Sequence, residues 1–139
     1  MKYGDSIREA YSKSVQCYIK MIDDAMVHNK NDYLKLHELS RMNEYAYFVL
    51  FWGQFESYIN DKALEREGEN YKDMDFMPRV RMFIAPKFYT DVDQFYYWRC
   101  KLAHGNNLEL PELTLPIIFD KIDEIIKQID TDEDFSDIF

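Results

Sequence analysis

The chain has 139 residues, 47% of them hydrophobic and 17% aromatic, which is enough to bury a core and too apolar for a disordered chain. Four glycines and four prolines are too few for the turns of a strand-rich fold. A net charge of −9 excludes a protein that coats nucleic acid through bulk electrostatics.

Ser6 followed by Glu9 has capping-box spacing and is expected to open a first helix. Its apolar stripe is Ile7, Tyr11, Val15, Tyr18, Ile22 and Ala25 with Met26. The polar stretch 28–32 interrupts it. Asp32 is expected to cap a second helix that runs to about Glu67, before Gly68. Its apolar positions are Leu36, Leu39, Met42, Ala46, Val49, Trp52, Tyr58, Ile59 and Ala63. Gly53 falls mid-helix, where a missing side chain would let another backbone approach. Residues 68–77 read as a polar loop, and Pro78 as part of the first turn of a short helix ended by Pro86. Thr90 with Asp93 is expected to cap the helix that carries "DQFYYWRCKLAH" and stops at Gly105. After the loop "NNLELPEL", Thr114 and Pro116 begin a last helix with the stripe Ile118, Ile122, Ile125 and Ile129. The expected fold is all-α, an antiparallel bundle of four long helices plus one short one. It forms a single domain over residues 1–130, followed by an acidic tail, 131–139.

Cys17 and Cys100 belong to no C-x-x-C pair and make no disulfide framework. The N-terminal residues contain no apolar signal core. The longest apolar run, "YAYFVLFW" at 45–52, is far short of the roughly 20 residues a membrane span needs. A reducing, cytoplasmic location is expected, with no membrane partner.

The three histidines, His28, His37 and His104, have no ligand-spaced partners, so neither a metal nor another cofactor is expected. The glycine-rich phosphate loops are absent too. Charge, however, is unevenly spread. Segment 78–101 sets Arg79, Arg81, Lys87, Arg99 and Lys101 against Asp91 and Asp93, a local +3 that leaves −12 for the rest. Within it, "YYWRCKLAHG" places Arg99 and His104 five residues apart. Arginine offers phosphate a planar, permanently charged fork, and histidine transfers protons near neutrality. Five residues turn an ideal helix by about 500°, so the two side chains point roughly 140° apart. They converge only if the helix ends at Gly105 in a way that redirects His104, or if two chains meet. On residues alone the pair also reads as an ordinary ion pair and a helix-end cation.

A helical bundle whose late helix ends in "RCKLAHG" resembles the HEPN superfamily, in which R-N-x-x-x-H-G is a common motif. The upstream "FVLFWGQFESYINDKALE" is similar to the long HEPN helix bearing F-E-x-x-x-N, here Phe55, Glu56 and Asn60. The resemblance implies a metal-independent endoribonuclease, of toxin or antiviral type, working as a homodimer on RNA and not on DNA. Carried over by residue, Arg99 would hold the phosphate and His104 would be the acid/base for attack by the ribose 2′-hydroxyl. Around them Lys101, Tyr97, Arg79 and Arg81 would contact RNA, and Cys100, Glu56 and Asn60 would support the pair. Phe95 and Trp98 are expected to be buried. An antitoxin protein is a further implied partner. It would not act by modifying a tyrosine two positions after the histidine, because Asn106 stands there. The residue after Arg99 is commonly asparagine in the family and is Cys100 here. That substitution points to the alternative of a catalytically inactive HEPN-like dimerisation or RNA-binding module.

Overall fold

A computed structural model describes residues 1–105 and 110–136, with side chains up to 132. Its elements are α1 (Gly4–His28), α2 (Lys30–Glu67), α3 (Phe76–Arg81), α4 (Tyr89–Ala103) and α5 (Leu115–Ser136). Short 3-10 turns at Gly68–Asp73 and Pro86–Phe88 link the middle elements. The described residues hold four long helices, one short one and no strand, as the sparse glycine and proline content predicts.

A single residue, Asn29, separates α1 from α2. It is extended (φ −158°, ψ 104°), and its side-chain oxygen accepts from the N–H groups of Asn31 (3.1 Å) and Asp32 (3.4 Å). The cap of α2 is therefore Asn29 rather than Asp32, which lies one turn inside. So tight a reversal forces α1 back along α2. Tyr3 N–H reaches Gln54, Tyr11 reaches Glu44, and Asn43 donates to Ser14 at 2.8 Å, the order of an antiparallel pair. The expected caps at Ser6 and Thr90 are also not used. α1 begins at Gly4, and α4 continues from the Pro86–Phe88 turn without a side-chain cap. Pro86 opens that turn, while α3 has already ended at Arg81.

The core is aromatic. Phe48, Phe51, Trp52 and Phe55 of α2 meet Phe119 of α5 and Phe95 of α4, with Phe51 and Phe119 rings 4.3 Å apart. Ile118, Ile122, Ile125 and Ile129 are all buried, as their spacing predicts. The stripe expected on α2 is another matter. Its members Trp52, Ile59 and Ala63 are buried, but Leu39, Met42 and Val49 are exposed, while Tyr45, Phe48, Phe51 and Phe55, which that stripe omitted, are buried. Both sets repeat at helical spacing, so period alone could not choose between them. The aromatics bury more surface per residue and take the inner side. Gly53 lies on the outer side, where a Cβ would meet nothing within 4 Å, so no backbone approaches it. Met26 is exposed as well, because the last turns of α1 pack only along the start of α2. At the other end of the chain, α5 continues through Ser136, well into the acidic stretch.

Candidate functional site

The Arg99 side chain is built on α4 and held from α2. Its Nε stands 3.4 Å from Glu56 Oε1, and the same oxygen accepts the indole N–H of Trp52 at 2.5 Å. Trp52 is buried and sits one turn before Glu56, so its ring fixes the carboxylate, which in turn fixes the guanidinium. With Nε engaged, the two terminal nitrogens of Arg99 have no hydrogen-bond partner among the described residues, and the side chain is 40% exposed. This is the arrangement of a cation that is oriented yet available.

His104 caps the end of α4. Its N–H bonds to the Cys100 carbonyl at 3.2 Å, and Gly105, at φ +76°, donates to Leu102 at 3.2 Å. Only the residue after His104 takes the left-handed conformation that glycine favours, so the helix closes there. His104 itself has φ −94°, ψ 7°, outside the helical range, and is exposed. The helix ends at Gly105, as the glycine's place in the sequence predicts.

The F-E-x-x-x-N stretch divides its labour. Phe55 enters the core and Glu56 goes to Arg99. Asn60 turns to α3, where its side-chain oxygen accepts from Arg79 Nη1 at 2.5 Å. Arg79 also donates to the Met74 carbonyl at 2.6 Å and lies over the Tyr71 ring, with its Nε buried and unpartnered. Asn60 and Arg79 thus tie the turn before α3 to α2. That corrects two expectations, since Asn60 does not contact Arg99 and Arg79 offers no open fork to RNA. Arg81 donates from a single nitrogen, Nη2, to both carboxylate oxygens of Asp93, each at 3.0 Å.

The remaining residues of the segment surround the helix end. Tyr97 is 53% exposed with Lys101 packed over its ring, whereas Phe95 is buried and Trp98 packs against the core. Tyr96 stacks on Phe76. Burial, then the neighbouring Cys100, holds its hydroxyl above the usual tyrosine range. Cys100, one turn after Tyr96, is half-buried.

Trp52 is the member of the site that sequence reasoning missed. It was placed only as an apolar position, although an indole four residues before a glutamate can donate to it. A polar cluster elsewhere also went unread. Glu44 accepts from Tyr11 at 3.3 Å beside a cavity of about 290 Å³ lined by His37, Arg41, Tyr45 and Glu112 among others. Burial, reinforced by the charge of Glu44, pushes the Tyr11 hydroxyl to about 12, and burial also raises the Glu44 carboxyl. Among the described residues no three His, Cys, Asp or Glu side chains stand close enough to share a metal ion. Nor is any described helix long and apolar enough to cross a membrane. Comparison with protein-family models, with curated proteins and with solved structures finds no match to this chain.

Proposed function

We propose that the protein is a HEPN-type, metal-independent endoribonuclease that works as a homodimer. The observation that carries this reading is the Trp52–Glu56–Arg99 arrangement, which orients a guanidinium whose two terminal nitrogens have no partner among the described residues, little more than one turn before an exposed histidine. In the proposed reaction the ribose 2′-oxygen attacks the adjacent phosphorus and gives its proton to an imidazole. The bond from phosphorus to the 5′-oxygen breaks, and the leaving oxygen is protonated. A 2′,3′-cyclic phosphate and a free 5′-hydroxyl remain. Arg99 neutralises the charge that builds on the phosphate oxygens. In this reading each working pair takes its arginine from one protomer and its histidine from the other, as a five-residue spacing on an ideal helix favours. An antitoxin protein and a cytoplasmic setting belong to the same reading.

RNA cleavage in excess chelator tests it. His104→Ala should lower the rate roughly 100- to 10,000-fold. Arg99→Lys should also lose most activity, because an ammonium cannot reproduce the fork. DNA should be left intact, since it lacks the attacking hydroxyl. Chelator-sensitive cleavage, or a product with a free 3′-hydroxyl, would overturn the mechanism. One observation favours a second reading, an inactive HEPN-like dimerisation or RNA-binding module. Cys100, half-buried beside Arg99, stands where asparagine is common and carries no amide to orient the pair. Wild-type protein that cuts no RNA, together with a Cys100→Asn variant that does, would decide for it.

A further inference from the structure

The outer face of α2 is uncovered and almost uncharged. At 100° per residue, Leu39, Ala46, Leu50, Gly53, Ser57 and Leu64 fall within about 60° of one another, opposite the buried aromatics. All six are exposed, Leu50 at 55% and Leu64 at 41%. Their neighbours on that face are Met42, Asn43, Asn60 and Asp61, so a single charge, Asp61 near the C-terminal end, interrupts it between residues 39 and 64. In an antiparallel pair centred between Phe51 and Trp52 it lies opposite Met42. In a chain of net charge −9 this is a surface on which two identical copies can meet without opposing like charges.

The spacing of the six residues along the helix is seven, four, three, four, seven, the same read in either direction. An antiparallel copy of α2 centred between Phe51 and Trp52 therefore brings every member opposite another member. Leu50 meets the open position at Gly53, Ala46 meets Ser57, and Leu39 meets Leu64. A large side chain faces a vacancy at the centre, small faces small beside it, and large faces large at the ends. That is the self-complementarity a two-fold interface requires.

We infer that this stripe is the surface through which two copies of the chain associate, α2 against α2, antiparallel. The face is roughly 37 Å long at 1.5 Å per residue and about 10 Å wide, on the order of 400 Å², the size of the largest and often functional patch on a typical monomer. It is about half of the ~800 Å² per partner of a standard interface, which places the association in the weak, reversible class. The inference does not depend on the ribonuclease reading, but it bears on it. A two-fold perpendicular to paired helices keeps each flank on its own side. The flank of Glu56 and Arg99 from both copies then lies along one side of the pair, with the two Glu56 positions roughly 7 Å either way from the axis.

Sedimentation equilibrium of the full chain tests the surface, with RNA cleavage followed separately. Leu50→Glu should raise the dimer dissociation constant at least tenfold, and Gly53→Leu, which fills the central vacancy, should do likewise. Ile117→Glu, at an equally exposed position on α5, should leave it unchanged, and circular dichroism should show all three helical. In a Cys17→Ser background, a mixture of Leu39→Cys and Leu64→Cys chains should cross-link with each other in preference to themselves. A wild-type chain that stays monomeric at 100 times micromolar concentration, or that dimerises equally well as Leu50→Glu, would overturn the inference. So would a Leu50 face that binds only a different protein or lipid vesicles. A dimer sensitive to Leu50→Glu that cuts no RNA would uphold it while sinking the ribonuclease reading.

Discussion

On one side of α2, Phe48, Trp52 and Phe55 are at most 1% exposed, and on the other Leu50 is 55% exposed and Val49 42%. Both sides are apolar and both recur at helical spacing. The inner side meets α4 and α5 with rings, and the outer side offers aliphatic and small residues to solvent. The difference teaches that a long central helix with two apolar stripes is saying two things. The stripe that buries more surface builds the monomer, and the other is left for something outside it.

The comparison breaks most visibly through truncation. Phe55→Ala should cost about 3–5 kcal/mol of unfolding free energy, because a fully buried ring leaves a cavity. Leu50→Ala, measured in urea below the concentration at which chains pair, should stay within about 0.5 kcal/mol of the parent. Equal costs at the two positions would mean that the outer stripe is buried in the monomer after all.

A flank of the inner stripe gives the next test. Tyr11 packs on Phe119 and donates to Glu44, and its hydroxyl is raised from 10.0 to about 12. The folded state thus holds the tyrosine proton more tightly than the unfolded state does. The resulting stability is fully present below pH 10 and is lost as pH rises to about 12. The margin between the parent and Tyr11→Phe, read from urea unfolding at pH 9 and pH 11.5, should narrow at the higher pH. Glu44 is raised too, so at neutral pH its ionised form opposes folding, and Glu44→Gln should be neutral or stabilising there.

Two glycines supply the smallest effects, of opposite sign. Gly53→Ala on the open helix face should stabilise the monomer by about 0.5–1 kcal/mol. Gly105→Ala, at φ +76°, should destabilise it by about 1 kcal/mol, since a side chain is strained in that conformation. Thermal unfolding of the pair would show both.

Much of this was legible in residue order, and the failures have a common physical origin. Helix number, the isoleucine stripe of α5 and the stop at Gly105 depend on local spacing and backbone conformation, which a sequence carries directly. The caps expected at Ser6 and Thr90 failed because neighbouring segments, the packed N-terminus and the Pro86 turn, already start those helices. The phase of α2 depended on which stripe its partners cover, and no window on α2 contains that information. The candidate site divides in the same way. Arg99 and His104 stand out by residue type, and Glu56 by its place in a motif. That Trp52 pins Glu56, and that Arg79 is spent on Asn60, depends on how α2 crosses α3 and α4.

The central claim is that a working site takes its arginine and its histidine from different chains. Mixing Arg99→Ala chains with His104→Ala chains, each inactive alone, tests it most directly. After random exchange, half of the dimers carry one chain of each kind and rebuild one of their two sites, so cleavage in chelator should recover to about a quarter of the parent rate. If the mixture stays as inactive as its components while exchange of chains is demonstrated, the two residues do not act across the dimer and the account is wrong.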